Sequence, residues 1–312
     1  MKTDLTIGIP TYNQGEYLEE TLESILSQTK MPDQIVISNN YSNDQLTEKV
    51  LKKYSNHSLI KIIKPNKFLK MCENWHFTAI NCNTKFFTLI SSDDIMESNF
   101  VEDFINSVND KADFYRFNFN LIDNKGHFLG RQTLRSVPKL QKYPSNFLNQ
   151  LLGPKAGFPA FVISRKLYDE VGGYDKNLNF YADWHLLLKV AERTSFYHID
   201  TISTNYRTNY REGLRYLRAK NGGIDDIIFI HKFLLKKFSE KKFNKYIFYL
   251  NSSILIHMSS FLLLLEKNDK LEIDKVNNFL KQNNIKAIKS EKILNFRRFI
   301  VRIFEFYLKF FR

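Results

Sequence analysis

Residues 5–29 read LTIGIPTYNQGEYLEETLESILSQT. The first six form a short β-branched run that ends in a proline. Beyond it Tyr17, Leu18, Leu22, Ile25 and Leu26 fall at helical spacing. Glu16, Glu19, Glu20 and Glu23 sit early in that helix, where its dipole favours acids. The stretch is therefore a strand, a turn and a helix, and the same unit recurs downstream. QIVIS (34–38) predicts a second strand, followed by the turn-rich NNYSND and a helix through QLTEKVLKKY. LIKIIK (59–64) predicts a third strand, with a helix over FLKMCENWHFTAINC, and KFFTLIS (85–91) a fourth. Strands alternating with helices of this length predict a doubly wound α/β sheet, with ligands bound beyond the carboxyl ends of its strands. PTYN (10–13) and SSDD (91–94) both fall at such ends.

From Asp113 the pattern is less regular. DFYRFNFNLID and HFLGRQ predict a hairpin turning at Asn124–Gly126, GFPAFVIS a strand and YADWHLLLKVAER a helix. After about residue 220 the pattern is helical only. The charge changes there too: of the formal +13 carried by 312 residues, +11 belongs to residues 212–312 and +2 to residues 1–211. A near-neutral domain (1–211) is thus joined to a basic helical region (212–312). With 43% hydrophobic and 25% charged residues the chain can bury a sizeable core. Two cysteines, Cys72 and Cys82, make no disulfide framework, and MKTDLTIGIP contains no long apolar stretch. Free thiols in a reducing cytoplasm are the expectation.

Two residues bear most of the chemical argument. Asp93 and Asp94 are adjacent carboxylates at the end of a buried strand, an arrangement that costs free energy unless a cation sits beside them. A cap for the helix over IMESNFVEDFI is the plainer role for the pair. Asp183, in FYADW, stands where the helix dipole favours a first-turn acid.

TIGIPTYNQGEYLEETLESILSQT, QIVISNNYSND, LISSDDIM and VGGYDKNLNFYADWHLLLKVAE occur in this order over roughly residues 3–211. Together they resemble the family 2 glycosyltransferases of the GT-A fold. The resemblance implies a Rossmann-like mixed sheet flanked by helices, here with a C-terminal helical extension. It implies inverting transfer of a sugar from a nucleotide diphosphate donor to an acceptor hydroxyl, assisted by Mg²⁺ or Mn²⁺. On the same basis Asp94 is expected to hold the metal, and Asp93 to lie beside the donor ribose or sugar. Pro10, Thr11 and Tyr12 would lie near the base and ribose, and Asn39 would face the base. Asp183 would deprotonate the acceptor, Trp184 and Gly157 would shape the acceptor side, and Arg207, in NYRTN, would contact the diphosphate. Arg211, Arg215 and Arg218 follow in a loop that either closes over the donor or is a solvated turn. The chain departs from the family at Asn39, where an aspartate is usual, and at Ser92, Ala182 and Asn209. Asn39 leaves the base open, with uridine diphosphate as the default.

NFRRFIVRIFEFYLKFFR (295–312) places Arg298, Arg302, Glu305, Lys309 and Arg312 on one helix face with an aromatic and aliphatic remainder. So many charges disfavour spanning, whereas lying on an anionic membrane surface suits the helix. Packing against the protein's own core is the alternative. YIFYLNSSILIHMSSFLLLL (246–265) is uncharged but has a polar stripe, and reads as a buried bundle helix. The expectation is a bacterial surface-polysaccharide transferase (capsule, O-antigen or lipooligosaccharide) on the inner face of the membrane, acting on a glycan or polyprenyl-linked acceptor. A catalytically impaired sugar-nucleotide-binding relative is the alternative. A nucleic-acid partner is not expected, because the C-terminal aromatics follow helical apolar spacing.

Overall fold

The computed structural model describes residues 2–133, 137–208, 214–241, 243–288 and 292–309. It opens with β1 (Leu5–Thr11), α1 (Gly15–Leu26), β2 (Gln34–Asn39), α2 (Gln45–Tyr54), β3 (Ile60–Ile63), α3 (Met71–Ile80) and β4 (Phe86–Leu89). Next come β5 (Ile95–Met96), α4 (Phe100–Ser107), the hairpin β6 (Phe114–Ile122) and β7 (Phe128–Gln132), β8 (Leu140–Gln141) and α5 (Ser145–Leu148). β9 (Phe161–Ser164), α6 (Arg165–Glu170), α7 (Ala182–Ala191) and β10 (Phe196–Arg207) complete the sheet. The helices α8 (Leu214–Arg218), α9 (Ile224–Lys241), α10 (Ile247–Leu264), α11 (Lys270–Gln282) and α12 (Lys292–Lys309) follow.

The third helix starts later than its apolar spacing suggests. Glu73 reaches back to accept from the Lys70 N–H at 2.8 Å, which caps α3 at Lys70 and leaves Phe68 outside it. Asp44 caps α2 by accepting from Thr47 N at 2.7 Å.

The sheet order is β3-β2-β1-β4-β9-β6-β10-β5. β3, β2, β1 and β4 pair parallel, and β9 lies antiparallel between β4 and β6. β6 and β10 run parallel to each other. The carboxyl ends of β1, β2, β4, β6 and β10 consequently share one edge. β6 meets β9 at its start and β7 near its end, while β10 meets β8 and then β5. The sheet forks there, with β7 on β6 and β8 on β10 lying off its main path.

Side chains alternate between the two sheet faces with a period of two. Leu5, Ile7, Ile9, Ile35, Ile37 and Phe86 pack with α1, α2 and α4. Val36, Phe87, Leu89 and Phe114 pack on the other face with α7 and with residues of α9, α10, α11 and α12. Each such buried side chain contributes about 1.5–3 kcal/mol. The second cluster runs without a break from the sheet to Ile293 and Ile300, so the change in charge near residue 211 coincides with no gap in packing.

The helix over Asn244–Leu264 is long and apolar enough to cross a membrane by length and composition, and half of its most apolar stretch is buried within the fold. Its polar stripe points inward: Ser253 Oγ donates to Leu151 O at 2.5 Å, and His231 Nε2 lies 3.0 Å from Ser253 Oγ.

Candidate active site

The loops at the carboxyl edge are laced together by short polar side chains. Asn13, at φ +52°, takes Ser42 Oγ as acceptor for its N–H (3.1 Å), while its Oδ1 accepts from Asn43 N (2.8 Å). Asn40 N donates to Thr11 O at 3.0 Å, which joins the ends of β1 and β2. Pro10 and Thr11 are buried beneath these loops, and Tyr12 projects outward, 46% exposed. The Tyr12 ring meets the exposed ring of Phe68 edge-on at 5.1 Å. Asn39 is half-buried at the end of β2. Its Oδ1 accepts from Ser42 N at 2.9 Å, a contact that fixes which end of the amide is oxygen and, among the described residues, leaves Nδ2 without a partner. Nδ2, and the remaining lone pair of Oδ1, are thus left to meet a ligand.

After β4 the chain turns through Ser91–Asp94. Ser92 is buried and its Oγ donates to the side chain of Gln14, so this position takes no part in the open edge. Asp94 is fully buried. Its Oδ1 accepts from Arg207 N at 2.7 Å, and its Oδ2 is buried with no partner among the described residues. Burial and the adjacent Asp93 charge push its carboxyl well above the usual range. Asp93 is half-buried, held by Gln14, and raised by burial. Asp94, the residue expected to hold the metal, thus has one oxygen on backbone and no exposure, and Asp93 is the more exposed acid of the pair.

Arg207, expected at the diphosphate, is engaged by the protein itself. It is buried at the end of β10, where Nε donates to Asp93 O (2.7 Å), Nη1 to Asp123 O and Asn124 O (3.1 and 3.2 Å) and Nη2 to Glu20 (2.5 Å). The Tyr17 ring covers it at 4.6 Å. Four of its five N–H donors are engaged, and the guanidinium ties two loops to helix α1.

Asp183 stands in the first turn of α7, half-buried. Its Oδ1 accepts from Trp184 N at 2.7 Å, and burial pushes its carboxyl up to about 6, with Arg218 acting in the opposite sense. Tyr206 connects the two acidic ends: burial raises its hydroxyl to about 12, and Asp94, Asp93 and Asp183 all add to the rise. The acidic turn after β4 and the start of α7 therefore flank one region. Trp184 lies inside the core. It is 1% exposed, donates from Nε1 to Gln150 O at 2.7 Å, and packs beside His257 and His231. Gly157 lets the Phe119 ring approach, since a Cβ there would stand 2.8 Å from it. Asn209 and Arg211 lie outside the described residues, as does the side chain of Arg215. Arg218 is exposed, with its guanidinium 6.0 Å from the Phe180 ring.

Among the described residues no group of three His, Cys, Asp or Glu side chains is placed to hold a metal ion. The carboxylates present fit an ion held lightly, by one or two acids plus substrate phosphates, in the manner typical of Mg²⁺. Sequence reasoning missed Gln14, Glu20 and Asp226, each of which acts through a contact distant in sequence. Asp226 opens α9 in GGIDDIIF, a stretch whose glycine pair was the available signal.

The mixed sheet flanked by helices, with the C-terminal helical region, is the GT-A architecture. Residues 6–172 match the model of glycosyl transferase family 2, and the chain belongs to that family. It is 28% identical over 222 residues to an uncharacterized glycosyltransferase of Rickettsia bellii, covering 70% of this chain and 31% of that protein. To chondroitin synthase of Escherichia coli it is 25% identical over 206 residues, covering 64% and 28%. The chain thus spans about a third of the length of these curated relatives. The structure of Staphylococcus aureus TarS 1-349 in complex with UDP-GlcNAc superposes with a TM-score of 0.56 at 15% identity, covering 92% of this chain and 93% of the other. The same TarS portion in complex with UDP gives 0.54 at 16%, covering 91% of each. At such identity the likeness is one of fold.

Proposed function

We propose that the chain transfers a sugar, with inversion, from a nucleoside diphosphate donor to an acceptor hydroxyl, with Asp183 as general base. The observation that carries this reading is the placement of Asp183: half-buried at the start of α7, raised to about 6, and sharing the surroundings of Tyr206 with Asp93. A carboxylate so placed is ionised at neutral pH yet basic enough to assist a hydroxyl as it attacks, a contribution of about 10²–10⁴ in rate. The acceptor oxygen bonds to the anomeric carbon as the bond to the diphosphate breaks, and Asp183 takes the hydroxyl proton.

Asp93 is the residue that would hold a divalent cation, Mg²⁺ or Mn²⁺. Such an ion, when bound, stabilises the charge of the departing diphosphate. Arg218 is the arginine suited to the diphosphate, since Arg207 is consumed by the loops. Uridine diphosphate sugars are the donors proposed first, because the TarS portion of the same fold was solved with UDP and UDP-GlcNAc. The Tyr12 and Phe68 rings offer the base an aromatic surface.

The setting we propose is bacterial surface-polysaccharide assembly on a glycan or polyprenyl-linked acceptor, at the inner face of the cell membrane. α12 supports it. Ile293 and Ile300 are buried against the core, while Phe299 (59% exposed) and Ile303 (37%) face outward beside exposed Arg298 and Arg302. A guanidinium-flanked apolar stripe suits the boundary between acyl chains and anionic headgroups. Glu305, Lys309 and Arg312 fall among side chains outside those described. Binding to phosphatidylglycerol vesicles that is lost in high salt supports this setting; equal binding to phosphatidylcholine vesicles, or none to either, removes it.

The central test is nucleoside diphosphate release from a panel of nucleotide sugars with and without Mn²⁺, for the wild type and Asp183→Asn. Donor binding retained with turnover lost in the variant is expected. Equal turnover in both overturns the base assignment, and binding without turnover in the wild type favours the impaired relative.

A further inference from the structure

Three consecutive backbone N–H groups end on one carboxylate. Asp226, buried at the start of α9, accepts from Asn179 N (2.9 and 3.1 Å), Phe180 N (2.7 Å) and Tyr181 N (3.2 Å), and from Asn179 Nδ2 (3.1 Å). These amides immediately precede α7, and Asp183 is the second residue of that helix. Tyr181, which stands at the cap position of α7, makes no capping bond with its own side chain. The carboxylate of Asp226 supplies from a distant helix the negative charge and acceptors that a helix start ordinarily obtains from its neighbour.

The segment carrying Asp226 is shaped for this contact. A widened turn over residues 219–223 joins α8 to α9, with Gly222 at φ +104°. A Cβ on Gly222 would stand 2.4 Å from Asn179 Nδ2, so only glycine lets the two segments meet. Ile224, Ile227 and Ile230 then bury α9 in the same core as Trp184 and Leu187 of α7. The carboxylate is thus held by packing on one side and by four N–H donors on the other.

We propose that Asp226 is a positioning residue for the transfer reaction: it fixes the Asn179–Tyr181 segment and, through it, the place of Asp183. The basic helical region is then part of the catalytic apparatus, since it supplies the anchor. This inference rests on the reading of Asp183 as the base.

The test compares the full-length wild type with Asp226→Asn, which removes the charge, and Asp226→Glu, which keeps it. The extra methylene of glutamate cannot seat both oxygens on the same three amides. Hydrogen exchange of peptides covering residues 176–184 is expected to quicken by about tenfold or more in both variants, with β1–β4 unchanged. The ¹³C carboxyl resonance of Asp183, assigned by its absence in Asp183→Asn, titrates near 6 in the wild type and should fall toward 3.8 in both as water reaches it. Wild-type exchange and titration in both variants overturns the proposal. So does a titration shift confined to Asp226→Asn with exchange unchanged, which is a pure charge effect, or exchange that quickens throughout the fold with Asp183 unmoved. If the Asp226 variants do not fold, Asn179→Ala removes one of the bonds, and a smaller quickening confined to residues 176–184 supports the proposal while wild-type exchange there overturns it. Were Asp183→Asn to keep full turnover, the base reading would fail, while these ligand-free measurements would still decide whether Asp226 sets the place of Asp183.

Discussion

The backbone N–H of Arg207 donates to Oδ1 of Asp94 over 2.7 Å, joining the end of β10 to the turn after β4 across 113 residues of sequence. The bond turns one of two adjacent acids inward and leaves the other at the surface. Arg207 completes the link with its side chain, which holds the Asp93 carbonyl and two carbonyls of the β6–β7 turn. The acidic turn is therefore placed by backbone contacts before any ligand arrives.

Asp93 and Asp94 should respond oppositely to substitution. Asp94→Ala strands the Arg207 N–H and is expected to cost about 2–4 kcal/mol in urea denaturation. Asp94→Asn keeps an acceptor, sheds a buried charge and should stay within about 1 kcal/mol of the wild type. Asp93→Ala should leave stability within about 1 kcal/mol and remove the Mn²⁺-dependent part of UDP binding measured by calorimetry. Undiminished Mn²⁺ dependence in Asp93→Ala would return the ligand role to another residue.

The two arginines separate in the same way. Arg207→Lys loses the fork that reaches several carbonyls at once and should destabilise the fold by about 2–4 kcal/mol. Arg218→Ala removes an exposed side chain, so stability should change by no more than about 0.5 kcal/mol. If Arg218 meets the diphosphate, UDP affinity in that variant falls by about tenfold or more. Unchanged affinity for UDP would exclude it.

Asp183 links activity to pH and to stability with opposite signs. As a base it must be ionised, so turnover should rise through pH 6 and level above it. Its folded value lies above 3.8, so the ionised folded form is the disfavoured one. The associated stability is fully present below the unfolded value and is lost as pH rises through about 6. The rise corresponds to a few kcal/mol at most. Asp183→Asn should therefore be more stable than the wild type at pH 8 by about 1–3 kcal/mol and match it near pH 3.5. Denaturation at the two pH values measures this directly; an equal difference at both would place the cause elsewhere.

The βα units and the loops after β1 and β4 were legible because their signals are local: apolar periodicity, acids in first turns and turn residues between them. The start of α3 was misread because Phe68 and Leu69 continue the apolar run, while the side chain of Glu73 decides the boundary. β5 and β8 are two residues long and exist through pairing with β10, so no local pattern announces them. Adjacent acids at 93 and 94 mark a site, but which one turns inward depends on Arg207, more than a hundred residues away. The same holds for Asp226, whose partners precede it by 45 to 47 residues. The guanidinium of Arg207 was assigned by its affinity for oxygen, and the oxygens it meets in the fold are the protein's own.

Asn39 offers a last, sharper test of donor recognition. Ser42 N holds its Oδ1, and Nδ2 is left as a donor beside an oxygen that still has a lone pair. Uracil presents an N3–H donor between two carbonyl acceptors, whereas cytosine presents an N3 acceptor. A carboxamide can satisfy either pattern in part, so the wild type should separate UDP from CDP by less than about tenfold. Asn39→Asp replaces the amide donor by a second acceptor with charge, which strengthens a bond from uracil N3–H and opposes cytosine N3. UDP affinity should rise by about threefold to tenfold in the variant and CDP affinity should fall by a comparable factor. Calorimetry with the two nucleotides reads both numbers. If both affinities remain unchanged, the base does not lie against β2, and the aromatic pair Tyr12 and Phe68 must hold it from another direction.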